Sequence, residues 1–304
     1  MNLPLEVWED VIDQCSRSDM VKLTRVSSTF RKMATRILYQ LVWLHINERK
    51  TIRCLKTLCS NALAAQSVKA LYLVDMGFKP HLRAFLSLVI RAFSALPNLK
   101  ALQYTCCGLR TQVNGSIAPP AIAQIVLHCT FPGSSLESIS VPGFVGPALL
   151  KRHQSTLREI GITSEVFTHL DTQIFGNEYN FPVLKSVSLS NKDLLSFLSK
   201  SRLPSLSSIG LPQVVSAEDL DRIKSVFSDS RSGTRLLFWM VSLDIRVFDM
   251  IADKLPHLTS LTIGCSSWDN NLKTIRPIAP KLSRLQGLQD FTWNRGLLGR
   301  TERA

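Results

Sequence analysis

The residues that could do chemistry are few and badly placed for it. Six histidines and seven cysteines are spread over 304 residues. No Cys-x-x-Cys pair, paired-histidine spacing, His-Glu-x-x-His helix, glycine-rich phosphate loop or Gly-x-Ser-x-Gly elbow occurs among them. His128-Cys129 is the one juxtaposition that resembles half of a nucleophile–base pair or a metal site. The apolar run from Ile122 to Leu127 leads straight into it, so the pair is expected at the end of a packed helix. Cys106-Cys107 follows a short apolar alternation and is expected in a turn. Asn114-Gly115-Ser116 also fits a turn. The expectation is therefore a chain that is not an enzyme, with no catalytic residues, no metal ligands and no cofactor. Scattered free thiols suit a reducing compartment, the cytoplasm or the nucleus.

Composition narrows the classes further. At 45% hydrophobic the chain can bury a sizeable core. No apolar run reaches the eighteen or so residues of a membrane span, and the N-terminal residues carry acids where a secretory leader would be basic. The formal charge is +13, yet the lysines and arginines are dispersed, with mild enrichment after Lys273. A nucleic-acid binder concentrates them in a stripe interleaved with aromatics. Here they read as a solvated surface, and neither nucleic acid nor a membrane is expected as a partner.

What positions the remaining residues begins at the N-terminus. Leu3-Pro4 opens a helix where proline's missing N–H costs nothing. Leu5, Trp8, Ile12 and Cys15 follow at helical spacing, with Val7 and Val11 as a second apolar row. Ser18-Asp19 is a cap signal for a second helix, carrying Met20, Leu23 and Val26. A third begins near Ser27 and carries Phe30, Met33, Ile37 and Leu41. Three short helices cannot bury this much apolar surface among themselves, so part of it must meet another surface.

The run Leu3-Pro4-x-Glu6-Val7-Trp8-x-x-Val11-Ile12, with Leu23-x-x-Val26-Ser27, Phe30 and Trp43, resembles the F-box, the module that docks the Skp-type adaptor of cullin–RING ubiquitin ligases. Cys15 stands where that family usually has leucine, and Phe30 where it often has tryptophan. The resemblance implies that Leu3, Pro4, Leu5, Val7, Trp8, Val11, Ile12, Leu23 and Val26 bind an adaptor and, through it, a cullin. The module is expected over residues 1–45, followed by a linking helix over 46–67.

From residue 68 to 304 a short pattern recurs. It reads Val68-x-x-Leu71-x-Leu73, then Leu99-x-x-Leu102-x-Tyr104, Leu136-x-x-Ile139-x-Val141, Leu157-x-x-Ile160-x-Ile162, Leu184-x-x-Val187-x-Leu189 and Leu206-x-x-Ile209-x-Leu211. A weaker copy, Leu236-x-x-Trp239-x-Val241, precedes Leu258-x-x-Leu261-x-Ile263 and Leu288-x-x-Phe291-x-Trp293. The nine copies start 21 to 37 residues apart. Their last two apolar positions alternate with polar ones, as in a short strand with one buried face. Between them lie helical patterns, best at Leu82–Leu96, from the capping box at Ser216 and Asp219, and over Ile245–Leu255. Strand–helix units at this period stack as a parallel sheet with helices outside.

This pattern is similar to leucine-rich repeats of the irregular kind found behind an F-box, without the asparagine that ordinarily follows the strand. The expected fold is α/β: a three-helix F-box-like module, then an irregular solenoid with a parallel sheet on its concave side. Residues flanking each central apolar position should face outward, among them Ala70, Tyr72, Ala101, Gln103, Ser186, Ser188 and Ser260. Tyr72, Gln103, Phe238 and Met240 are the expected contacts for a protein target of unknown identity. The function so implied is substrate recognition in a Skp–cullin–F-box ligase. The alternative is an interaction scaffold in which the N-terminal helices only cap the repeats.

Overall fold

The computed structural model describes residues 4–46, 48–75, 83–106, 122, 125–126, 131, 135–142, 147–163, 178–189, 195–211, 216–228, 234–240, 245–265 and 276–295. The expectations at His128-Cys129, Cys107, Asn114–Ser116, Leu3 and the last nine residues fall outside them. The fold is mixed α/β with parallel strands, and it divides into two compact units, 1–145 and 146–304. Among the described residues no helix is long and apolar enough to cross a membrane.

The first unit opens with three helices, α1 (Leu5–Asp13), α2 (Arg17–Leu23) and α3 (Ser28–Gln40). Pro4 is the N-cap of α1 rather than its first helical residue. The cap of α2 is Ser16, two residues ahead of the expected Ser18. Its hydroxyl accepts the Asp19 N–H and reaches the Asp19 carboxylate at 2.7 Å. Ser27 caps α3 in the same way through the Phe30 N–H. Ile12, Met20, Met33 and Ala34 form a small core, with Trp8, Cys15, Leu23, Phe30, Ile37 and Leu38 packed against it. Trp8 meets the Phe30 ring edge-on at 5.3 Å, the geometry that aromatic quadrupoles favour.

Directly after α3 the chain becomes a strand, β1 (Leu41–His45), inside the span expected to be helical. The expected linking helix is two helices, α4 (Arg49–Ser60) and α5 (Ala62–Ser67), divided at Asn61, whose side chain caps the second. Then come β2 (Ala70–Asp75), α6 (Arg83–Ser94), β3 (Ala101–Cys106) and β4 (Ser138–Pro142). These strands pair in chain order, β1 with β2, β2 with β3 and β3 with β4, all parallel. Sequential parallel order with right-handed crossovers puts the connecting helices on one face. Val42, Leu44, Leu71, Leu73, Leu102, Tyr104, Ile139 and Val141 turn to that face and are at most 5% exposed.

The second unit repeats the plan. It contains α7 (Pro147–His153), β5 (Glu159–Thr163), β6 (Ser186–Leu189), α8 (Leu195–Ser199), β7 (Ser208–Leu211), α9 (Ala217–Phe227), β8 (Thr234–Met240), α10 (Arg246–Lys254), β9 (Leu258–Cys265), α11 (Ala279–Leu282) and β10 (Asp290–Arg295). Its strands also pair in order and in parallel. The capping box expected at Ser216 and Asp219 closes α9 with both reciprocal bonds. Some of the positive charge is tied up between helices here: Lys254 pairs with Asp221 at 2.7 Å, Lys281 with Asp249, and Arg284 with Asp253.

Two expectations fail in this unit. Register places Leu236 opposite Ile209 and Leu261, and Phe238 opposite Leu211 and Ile263. The seventh copy is therefore centred on Leu236, three residues before the expected Trp239. Phe238, expected on the outer face, is fully buried among the helices' partners. Ser260, expected to be exposed, is buried, a small side chain standing in register between Arg235 and Asp290.

Candidate functional site

Two surfaces of the first unit combine apolar character with exposure. One lies on the N-terminal helices. Val7 and Val11, four residues apart on α1 and so on one ridge, are 40% and 47% exposed, and Val26 just beyond α2 is 65% exposed. Pro4 is exposed, whereas Trp8 and Leu23 are half-buried against the module's own core. Ile12 departs from the expected docking set: at 1% exposure it belongs to that core, with no surface left to offer a partner. Only the backbone of Leu5 is described. The docking set thus splits into a supporting core and an outer row that the module does not need for its own packing.

The other surface is the outer face of the sheet. Parallel pairing aligns Trp43, Tyr72, Gln103 and Ser140 in one row across β1 to β4. Below it runs a row of Leu41, Ala70, Ala101 and Ser138. Trp43 and Tyr72 stack with ring centroids 4.2 Å apart and planes within 7°. Trp43 remains half-exposed, and Leu41 is exposed beside it. Tyr72 and Gln103, both expected as contacts, therefore meet on one face, in an aromatic shelf grading into a polar amide and a hydroxyl. The expectation for Phe238 fails for the reason given, and of Met240 only the backbone is described. In register, the outer residues of β8 are Arg235, exposed, and Leu237, half-buried.

Trp43, expected at the close of the helical module, stands on this shelf instead. The strand shows only in the structure, where Val42 and Leu44 are buried and Leu41, Trp43 and His45 exposed. The sequence carries no alternation there, because all of Leu41 to Leu44 is apolar and follows a helix without a break. The second unit's outer face is plainer, with Glu159, Ser186, Ser208 and Arg235 in one row and Gly161, Ser188, Gly210 and Leu237 in the next. Gly210 is buried there because the Ser188 hydroxyl and a Leu237 methyl already stand 3.4 and 3.5 Å from where its Cβ would be.

A half-open cavity of about 280 Å³ lies at the outer side of β1, lined by Arg17, Val21, Leu38, Tyr39, Leu41, Val42, Trp43 and Cys54. Burial pushes the Cys54 thiol and the Tyr39 phenol up from their ordinary values, so both walls stay neutral. A larger groove of about 730 Å³ has the acids Glu9, Asp10 and Asp13 on one side and Arg36, Lys69 and Lys100 among its other residues. Among the described residues no three His, Cys, Asp or Glu converge to hold a metal ion. Compared with known proteins, the chain matches no family model and no curated sequence.

Proposed function

We propose that this chain is the substrate-recognition subunit of a Skp–cullin–F-box type ubiquitin ligase. In this reading the three N-terminal helices are an F-box that docks the Skp-type adaptor. The strand–helix units form an irregular leucine-rich-repeat solenoid whose outer sheet face holds a protein target. The mechanism is proximity: one end joins the ligase, the other presents the target's lysines at raised effective concentration.

The observation that carries the reading is the exposure of Val7 and Val11 on one ridge of α1 and of Val26 beyond α2, 40% to 65% each, on a module that already owns a core. Exposed valines add little to the stability of the isolated chain, and covering them releases roughly 25 cal/mol per Å² of apolar area. The test is capture of the Skp-type adaptor by the tagged full-length chain in cells. Wild type should retain adaptor and cullin, and Val7→Asp with Val11→Asp should lose both while the melting temperature holds. Adaptor retained in full by that folded double variant, or never captured by wild type, ends the ligase reading. Target capture that persists without the adaptor would instead favour an interaction scaffold.

A further inference from the structure

In a parallel ladder, alternate residues turn both their N–H and their C=O toward the same neighbour. In β1 that neighbour is β2, and the Ile46 N–H, which donates to the Val74 carbonyl at 3.0 Å, shows that the even-numbered residues face it. The main-chain groups of Leu41, Trp43 and His45 therefore point to the open side. Two of the three outward carbonyls are already occupied. The Leu41 oxygen accepts from an Arg17 Nη at 3.4 Å, and the His45 oxygen accepts from the Thr51 hydroxyl at 2.6 Å and the Glu48 N–H at 3.0 Å. Between them, the Trp43 N–H and C=O have no partner among the described residues.

Among the described residues the chain thus closes both ends of this edge with its own groups and leaves the middle open, beside the half-exposed Trp43 and the cavity behind it. An unpaired strand edge selects its occupant by geometry, since only an extended backbone presents a C=O and an N–H at the spacing Trp43 requires. Charge narrows the choice. Among the described residues Arg17 is the only charged one lining the cavity, its hold on the Leu41 oxygen is long, and the other described walls are apolar or neutral. The geometry points to the open edge of β1 as a strand-addition site for an extended peptide segment. That segment pairs its backbone with Trp43, lays an apolar side chain on the Trp43–Tyr72 shelf, and sets a carboxylate against Arg17. This deepens the target-holding half of the function proposed above and rests on it, but it is independent of the adaptor half.

The test selects binders from a phage-displayed library of random decapeptides on the immobilised full-length chain, then measures synthetic versions of the enriched peptides by fluorescence anisotropy. Enriched peptides should carry Asp, Glu or a free C-terminal carboxylate. Trp43→Pro, which removes the outward N–H but leaves the ladder to β2 intact, should weaken them at least tenfold, and so should Arg17→Glu. Should Trp43→Pro fail to fold, N-methylation of the peptide serves in its place. It should abolish binding to wild type at the residue facing Trp43 and leave it unchanged at the next. An empty selection, or peptides that tolerate N-methylation at every position, overturns the inference. So does a dimer in sedimentation that Trp43→Pro converts to monomer, because the occupant is then a second copy of the chain. Adaptor capture, measured in parallel, reports on the ligase reading through Val7 and Val11, so either claim can fail while the other stands.

Discussion

The register of β8 is the sharpest point at which side-chain placement can be measured. Leu237 and Phe238 are adjacent, both large and apolar, and pleating sends them to opposite faces of the sheet. Phe238 is fully buried, whereas Leu237 is half-buried on the outer face against Gly210. Replacing Phe238 with alanine removes the ring and leaves a cavity that packed neighbours close only in part, at a cost of about 3–5 kcal/mol. In a unit of this size, each kcal/mol lowers the melting temperature by roughly 2–4 °C. Phe238→Ala should therefore lower it by on the order of 10 °C. Leu237→Ala gives up part of a side chain that water already reaches, about 1 kcal/mol, and Arg235→Ala at an exposed site should stay within about 0.5 kcal/mol. Scanning calorimetry of the three single variants reads the order directly. A Leu237→Ala loss equal to or greater than that of Phe238→Ala would refute this register, because a slip of one residue exchanges the two faces.

Three further outcomes follow from the same structure. Ile12→Ala should destabilise the N-terminal helices by about 2–5 kcal/mol, seen as faster amide exchange in α1 to α3, while Val11→Ala leaves exchange there unchanged. Ser216→Ala removes half of the capping box and should cost about 1 kcal/mol, measured as a shift in denaturant midpoint without a change in slope. His153 is buried with its Nε2 unpartnered, and burial, aided by Arg152, holds its pKa below the ordinary histidine value. The unfolded chain then takes up that proton first. Stability is at its full value above about pH 6.5 and falls as pH drops through the window down to the folded pKa. Replacing His153 with leucine should flatten melting temperature against pH in that window, and an unchanged slope would contradict the assignment.

The strand register was legible wherever polar residues separate the apolar ones. Leu184-x-x-Val187-x-Leu189 carries serines at 186 and 188, and only one assignment buries Val187 and Leu189. Leu236 to Val241 is six apolar residues in a row, and period two cannot choose among them. Spacing could not choose either, because copies 21 to 37 residues apart admit both centres. Centring that copy on Leu236 places it 27 residues after Ile209 and 25 before Leu261, where Trp239 gives 30 and 22. The first strand was lost for a similar reason, since Leu41 to Leu44 extends the apolar face of α3 without a turn signal between them.

The docking set illustrates a second limit. Helical spacing groups Trp8, Ile12 and Cys15 on one side of α1 but cannot say whether a neighbour in the same chain or a partner covers them. That depended on where α3 lies, and Met33 and Ala34 answer it for Ile12. At the other end, Phe291 occupies a central apolar position by pattern yet is 37% exposed. Its strand β10 pairs only with β9 among the described residues, and burial needs cover that no local pattern reveals.

The most direct measurement of the central claim is a calorimetric titration of purified Skp-type adaptor into the purified full-length chain. A saturable one-to-one complex with a negative heat-capacity change is expected, as burial of Val7, Val11 and Val26 requires. Val7→Asp with Val11→Asp should abolish it at unchanged melting temperature. A folded wild-type chain that takes up no adaptor, or a double variant that binds as wild type does, would contradict it.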